Sequence, residues 1–190
     1  MSFEQTGRGC LVIISAPSGT GKTTVIQRLL EKNQRMVHSV SCTTRARRPQ
    51  ETDGKDYHFL SVEEFQKGIR ENRFAEWAEV HGSFYGTPKE PIERWLSAGV
   101  TVLLPIDVQG GMNLKNLYPR AAISIFLLPP SEEELKRRLD QRKTDSKAEK
   151  EIRLQNAKKE MKFKDAYDHQ VVNREVEEAC LAIEELIRKG

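Results

Sequence analysis

The sequence predicts a three-layer α/β fold, a parallel core sheet with helices on both faces. Three observations carry that prediction. Short apolar runs recur at 10–15 (CLVIIS), 100–106 (VTVLLPI) and 122–128 (AISIFLL). Each ends at small residues, glycine or proline, as strands buried on both sides do. Segments of helical period lie between and after them, and strands alternating with helices wind into a parallel sheet.

Taken in chain order, residues 10–15 form the first buried strand. It runs into the glycine-rich turn "APSGTGKT" at 16–23. Residues 22–32 follow as a helix with Val25, Ile26, Leu29 and Leu30 on one side. "SVEE" at 61–64 is a capping box, with Ser61 as N-cap and Glu64 at the third helical position, and Phe65 and Ile69 continue that helix. The strand at 100–106 is broken late by Pro105, and that at 122–128 is stopped by Pro129 and Pro130. "SEEE" at 131–134 is a second capping box, with Leu135 and Leu139 on its helix. Residues 144–164 are charged and poor in apolar side chains, with "TDSK" opening a helix. "HQVVN" at 169–173 is a last short strand, and Val176, Cys180, Ile183 and Ile187 stripe the final helix. The segment 41–88, rich in Arg, Tyr, Thr and Gly, breaks the strand–helix rhythm and reads as an insertion.

The chain has 190 residues, which suits one domain. Its 37% hydrophobic and 31% charged residues give a core with a solvated surface. A net charge of +3 makes no general case for nucleic acid as a partner. Cys10, Cys42 and Cys180 are far apart with no CxxC pair, which argues against zinc and a disulfide framework and fits a reducing cytoplasm. His38, His58, His81 and His169 have no metal-ligand spacing. The opening "MSFEQTGRG" has no basic region followed by an apolar stretch, so no signal peptide is expected. No apolar run approaches the roughly 20 residues that span a bilayer. The expectation is a cytoplasmic protein without a membrane partner.

The turn at 16–23 carries the first chemical signal. A phosphate loop reads G-x-x-x-x-G-K-[ST] between a strand and a helix. Here Ala16 replaces the first glycine, while Gly21, Lys22 and Thr23 stand in place. Backbone N–H groups from Ser18 through Gly19, Thr20, Gly21 and Lys22 to Thr23 would surround phosphate oxygens at a helix N-terminus, and Ala16, Pro17 and Thr24 complete the ATP-binding stretch. Lys22 would reach the terminal phosphates, and the Thr23 hydroxyl a Mg²⁺ ion. Asp107 follows the strand at 100–106, at the carboxyl end where open α/β sheets place ligands. It is the candidate acid on the metal side, or else a cap for the next segment. These residues imply a nucleoside triphosphate with Mg²⁺ and leave the reaction open.

Five further stretches decide the reading. "SVSCTTRARRP" at 39–49, "GKDYHF" at 54–59, "EWAEVHGSFYGTP" at 76–88, "IDVQG" at 106–110 and "LPPSEEELKRRL" at 128–139 together resemble guanylate kinases. The resemblance runs from about residue 10 to about 174, with the motifs in the family's order. It implies a P-loop three-layer fold with an acceptor-binding insertion at 41–88, a small helical lid at 140–153, and core segments 8–40, 89–139 and 154–190. The activity implied is transfer of the γ-phosphoryl group of ATP to GMP. Matching positions make Ser41, Glu76 and Thr87 the guanine contacts, Arg45, Arg48, Tyr57 and Tyr85 the contacts to the GMP phosphate, and Gly86 a further GMP-binding position. Guanine shows two donors, N1–H and the N2 amino group, that one carboxylate accepts together, which suits Glu76. Lys22, Arg45, Arg138, Arg142 and Arg153 are the implied catalytic cations, and Arg138 and Arg142 also contact ATP. The chain departs from the family at Pro105, where an acidic residue is usual, and at Lys143, where glycine is frequent. Two other readings stay open on the residues: a P-loop kinase with a different acceptor, and a non-catalytic module of the same fold. Use of dGMP and the oligomeric state are not legible.

Overall fold

Strand β1, Leu11–Ser15, is buried at every residue and lies at the centre of a five-stranded sheet in this computed structural model, which describes residues 9–80, 82–141 and 147–189. Its neighbours are β7 (Thr101–Pro105) on one side and β8 (Ala122–Leu128) on the other, both parallel to it. Strand β2 (Met36–His38) extends the sheet beyond β7, and β9 (His169–Val172) extends it beyond β8. Side chains alternate across a strand, so β1 feeds two cores. Val12 and Ile14 pack with Val25, Ile26 and Leu29 of α1 (Lys22–Lys32) and with Ala179, Cys180, Ile183 and Ile187 of α7 (Val176–Lys189). Leu11 and Ile13 pack on the other face with Ile92 of α3 (Lys89–Ser97) and Leu114 of α4 (Val108–Leu117). With helices on both faces, an unbroken apolar run is the only stable content for such a strand.

Pro105 costs this sheet no hydrogen bond. The N–H groups of Val102 and Ile106 donate to Cys10 and Ile14 of the β1 side, so even-numbered residues of β7 turn their donors toward β1. Position 105 therefore turns toward β2, which has already ended at His38. A residue without an N–H is tolerated where no acceptor waits.

A second sheet is built from the 41–88 segment, in the order β4-β3-β6-β5. Its members are β3 (Cys42–Thr43), β4 (His58–Phe59), β5 (Phe74–Val80) and β6 (Ser83–Pro88). Helix α2 (Val62–Arg70) covers one face and inserts Phe65 between Phe74 and Phe84, with ring centroids 4.3 and 5.4 Å away. Its capping box is complete: Ser61 Oγ accepts from the Glu64 N–H, and the Glu64 carboxylate accepts from the Ser61 N–H.

The second expected box is only half made. Ser131 Oγ accepts from the Glu134 N–H at the start of α5 (Glu132–Asp140). The Glu134 carboxylate does not return to Ser131; it accepts from Arg137 and Arg138, because two charged donors outbid one neutral amide. The charged stretch forms α6, Lys147–Met161. Positions 142–146, with Arg142 and Lys143, lie outside the described residues, as does His81.

Candidate active site

The turn between β1 and α1 is shaped by two left-handed glycines, Gly19 at φ +90° and Gly21 at φ +92°. A Cβ at Gly21 would sit 2.7 Å from Asn173 Nδ2, so close approach as well as φ demands glycine there. Asn173 donates to the Thr20 carbonyl at 2.7 Å and pins the turn to the end of β9. Gly21 is the N-cap of α1 and supplies no side-chain acceptor, so the N–H groups that begin this helix are aimed at an anion from outside.

A cavity of ≈ 450 Å³ opens on this turn, and Ser18, Gly19, Gly21, Lys22, Thr23 and Thr24 line it with Ala16 and Pro17. Three charged side chains arrive from helices distant in sequence: Arg138 from α5, and Arg153 and Glu160 from α6. Arg138 donates to the Thr20 carbonyl at 3.2 Å and the Asn173 carbonyl at 3.4 Å. Arg153 Nη1 donates to Ser18 Oγ at 3.2 Å. Burial pushes the Lys22 ammonium below its usual pKa, and the carboxylates of Glu160 and Asp107 oppose that shift.

A second cavity, ≈ 220 Å³, lies between the small sheet and the end of β7. The pairing of β5 with β6 sets its wall. Glu76 faces Thr87 and Ala78 faces Tyr85 across the ladder, so alternate residues of both strands share one face. Ser41, Tyr57, Glu76, Tyr85 and Gly86 line the cavity on this side, and Pro105, Ile106 and Asp107 close it from the core sheet. Thr87 Oγ1 donates to Glu76 Oε1 at 2.6 Å. Burial raises the Glu76 carboxyl above its usual range, Asp107 adds to that, and the Thr87 hydrogen bonds work against it.

Lys22 joins the two cavities. Its Nζ donates to the carbonyl of Ile106 at 3.0 Å, and Ile106 itself lines the second cavity. The phosphate loop and the carboxylate-lined pocket therefore meet at the carboxyl end of β7, where an open α/β sheet places its ligands. A match to the guanylate kinase family model covers residues 8–190. The chain belongs to the guanylate kinase family. It is 46% identical over 181 residues to a guanylate kinase of Wolbachia sp. subsp. Brugia malayi, covering 95% of this chain and 93% of that one. It is 42% identical over 181 residues to a guanylate kinase of Thermotoga maritima, covering 95% and 87%. The crystal structure of guanylate kinase from Anaplasma phagocytophilum superposes with a TM-score of 0.79 at 37% identity, covering 97% of this chain and 87% of that one.

Not every family-matched residue reaches a cavity. Arg45 is held by Glu51 at 2.8 Å, and it meets the second cavity through two of its lining tyrosines: its guanidinium lies 5.7 Å from the centroid of the Tyr57 ring and interacts with Tyr85. Arg48 is exposed, and its N–H donates to the same Glu51 carboxylate at 2.9 Å. Glu51 was not singled out by sequence, although its spacing of six and three residues from the two arginines is a usable signal. Asp107 is the N-cap of α4, with Oδ1 accepting from the N–H groups of Gln109 and Gly110. Glu160 and Asn173 are the other contributors that sequence reasoning missed.

Cys42 does not border the Glu76 pocket. Alternation along β3 turns its thiol to the opposite face, among Phe65 and Phe74, where burial pushes its pKa up to about 11. There it lines a larger cavity of ≈ 560 Å³ whose wall mixes Leu60, Phe74 and Pro91 with Arg73 and Glu93. Among the described residues no cluster of three or more His, Cys, Asp or Glu could hold a metal, and no helix is long and apolar enough to cross a membrane.

Proposed function

We infer that the protein transfers the γ-phosphoryl group of ATP to GMP, giving ADP and GDP. The observation that carries this is the Lys22 to Ile106 hydrogen bond, which puts a triphosphate-type loop and a carboxylate-walled base pocket within one side chain of each other.

In this reading the ATP phosphates lie along residues 16–24, with Arg138 and Arg153 beside them. GMP occupies the second cavity. Glu76 accepts the N1–H and N2 donors of guanine; adenine would leave the desolvated carboxylate unpaired, which is how a polar site rejects a near isostere. A hydroxyl has one proton, and that of Thr87 is already given to Glu76. Thr87 therefore orients the carboxylate, and Ser41 is the donor for guanine O6. Tyr57, Tyr85, Arg45 and Arg48 hold the GMP phosphate, with Arg45 exchanging its Glu51 partner for the dianion.

The reaction needs no general base. An oxygen of the GMP phosphate, ionised at neutral pH, forms the new bond to the γ-phosphorus, and the bond from that phosphorus to the ADP oxygen breaks. Catalysis is then positioning and charge neutralisation by Lys22, Arg138, Arg153 and Arg142. Thr23, exposed in the first cavity, and Asp107, at the edge of the second, are oxygen donors suited to Mg²⁺. Bound there, the ion would neutralise phosphate charge. The small sheet acts as the acceptor-binding insertion, 41–88, and the 140–153 segment as the lid. A cytoplasmic location fits three free cysteines.

The test is ADP release in a coupled assay with Mg·ATP and GMP, dGMP, AMP, UMP, CMP or no acceptor. Release stimulated by GMP, with or without dGMP, is expected. Stimulation by another monophosphate, or by none, would count against the Glu76 pocket as a guanine site.

A further inference from the structure

Helix α6 grips one residue of the phosphate loop with two opposite charges. Arg153 and Glu160 are seven residues apart and so share a face of the helix. Arg153 donates to the hydroxyl of Ser18, and Glu160 Oε2 accepts from the backbone N–H of the same residue at 3.4 Å. Ala157, between them on that face, is fully buried with Leu135 and Leu139 and ties it to α5. The loop N–H of Ser18 is one of those whose usual partner is a phosphate oxygen. Here a carboxylate holds it, at a distance long enough that a phosphate oxygen at ordinary hydrogen-bond length would win the exchange.

The charges facing Glu160 are Lys22 at the start of α1, Asp107 at the start of α4, and Arg138 and Arg153, which line the same cavity. Burial raises the Glu160 carboxyl above its usual range, the Ser18 N–H and Lys22 oppose that, and Asp107 adds to it. A triphosphate added to that cavity meets Glu160 as a like charge at close range, where repulsion is large in a poorly solvated site. We propose that Glu160 is a positioning residue of the donor site: its carboxylate holds the Ser18 N–H in the place of a phosphate oxygen, and the incoming nucleotide displaces that carboxylate while Arg153 stays beside the phosphates. This rests on the donor-nucleotide reading above. Glu160 thus weakens donor binding in exchange for a loop and helix held in place before the donor arrives.

The experiment is calorimetric titration of the full chain with inorganic tripolyphosphate, pyrophosphate and ATP at low ionic strength, in the wild type and in Glu160→Gln. Glutamine keeps an acceptor for Ser18 and removes the charge. The expected result is tripolyphosphate and ATP binding about tenfold tighter, a smaller gain for pyrophosphate, and an unchanged GMP affinity. A purely structural glutamate would give the opposite sign or no change, and either result overturns the proposal. Should the glutamine variant fail to fold, Glu160→Asp decides. The shorter side chain withdraws the carboxylate from Ser18, and a gain of about threefold is expected; no gain overturns the proposal. If the wild type binds neither polyphosphate nor ATP, and Lys22→Ala changes nothing, the donor-nucleotide reading itself fails.

Discussion

The two cavities are built in opposite ways. The phosphate loop is a continuous stretch of chain, residues 16–24, that hangs from the most buried strand of the protein and is fixed by backbone geometry at Gly19 and Gly21. The Glu76 pocket is assembled from separate stretches of chain: the β5–β6 hairpin, Ser41, Tyr57 and the end of β7. In the proposed reading the first recognises phosphate mainly with main-chain N–H groups, which any sequence supplies once the turn is right. The second, in that reading, recognises a base with a handful of named side chains. Sensitivity to mutation should therefore differ: the loop fails through charge and backbone shape, the pocket through single hydrogen-bond partners.

Four substitutions sharpen or break this contrast. Lys22→Ala removes the cation that links the cavities and should cut turnover on the order of 10²–10³-fold, with the melting temperature held; near-normal turnover would remove Lys22 from the mechanism. Glu76→Gln should raise the GMP Michaelis constant by about 10–100-fold, the loss of charge-assisted hydrogen bonds, and leave ATP binding alone.

The same variant should be more stable when empty. Burial raises the Glu76 pKa in the folded state, so between the unfolded and folded values the folded protein binds more protons. Stability from this group therefore falls as pH rises through that window. Glutamine has no such loss, so melting curves recorded above that window should shift upward and lose that part of their pH dependence. A variant that loses both stability and GMP use would make Glu76 a structural residue.

Gly86→Ala tests how tightly the pocket wall rests on its core. The added Cβ would lie 2.9 Å from Phe65 Cζ and 3.0 Å from Phe74 Cδ1. Overpacking of this kind costs about 1–3 kcal/mol, readable by denaturant unfolding, with GMP use falling alongside. Ser61→Ala removes the cap of α2, the helix that backs the small sheet. It should cost about 1 kcal/mol and barely touch turnover. An equal loss of stability and activity would mean that the small sheet is more rigidly coupled to the chemistry than the comparison allows.

The legibility of the sequence follows the same division. Helix α1, the strands at 11–15, 101–105 and 122–128, and both serine caps were readable because local rules govern them. Helices α3 and α4 were not assigned, although Ile92, Trp95 and Leu96 have helical spacing and Asp107 is a strong N-cap. Their signals are short and lie among glycines and prolines that read as loop. Strand β2 has three residues and depends on β7 for its existence. The four strands of the small sheet alternate apolar with polar and aromatic residues, a pattern that composition alone does not separate from an irregular insertion.

By itself the sequence determined the phosphate loop, its strand–turn–helix setting, and the family to which the motifs point, because each depends on residues close together in the chain. Only the tertiary structure decided that Lys22 reaches Ile106, that Thr87 spends its proton on Glu76, that Cys42 turns away from the pocket, and that Arg153 and Glu160 close on Ser18. These contacts join positions 11, 84, 135 and 142 residues apart, or depend on which face of a strand is buried. Register and packing set them, and neither is written in local spacing.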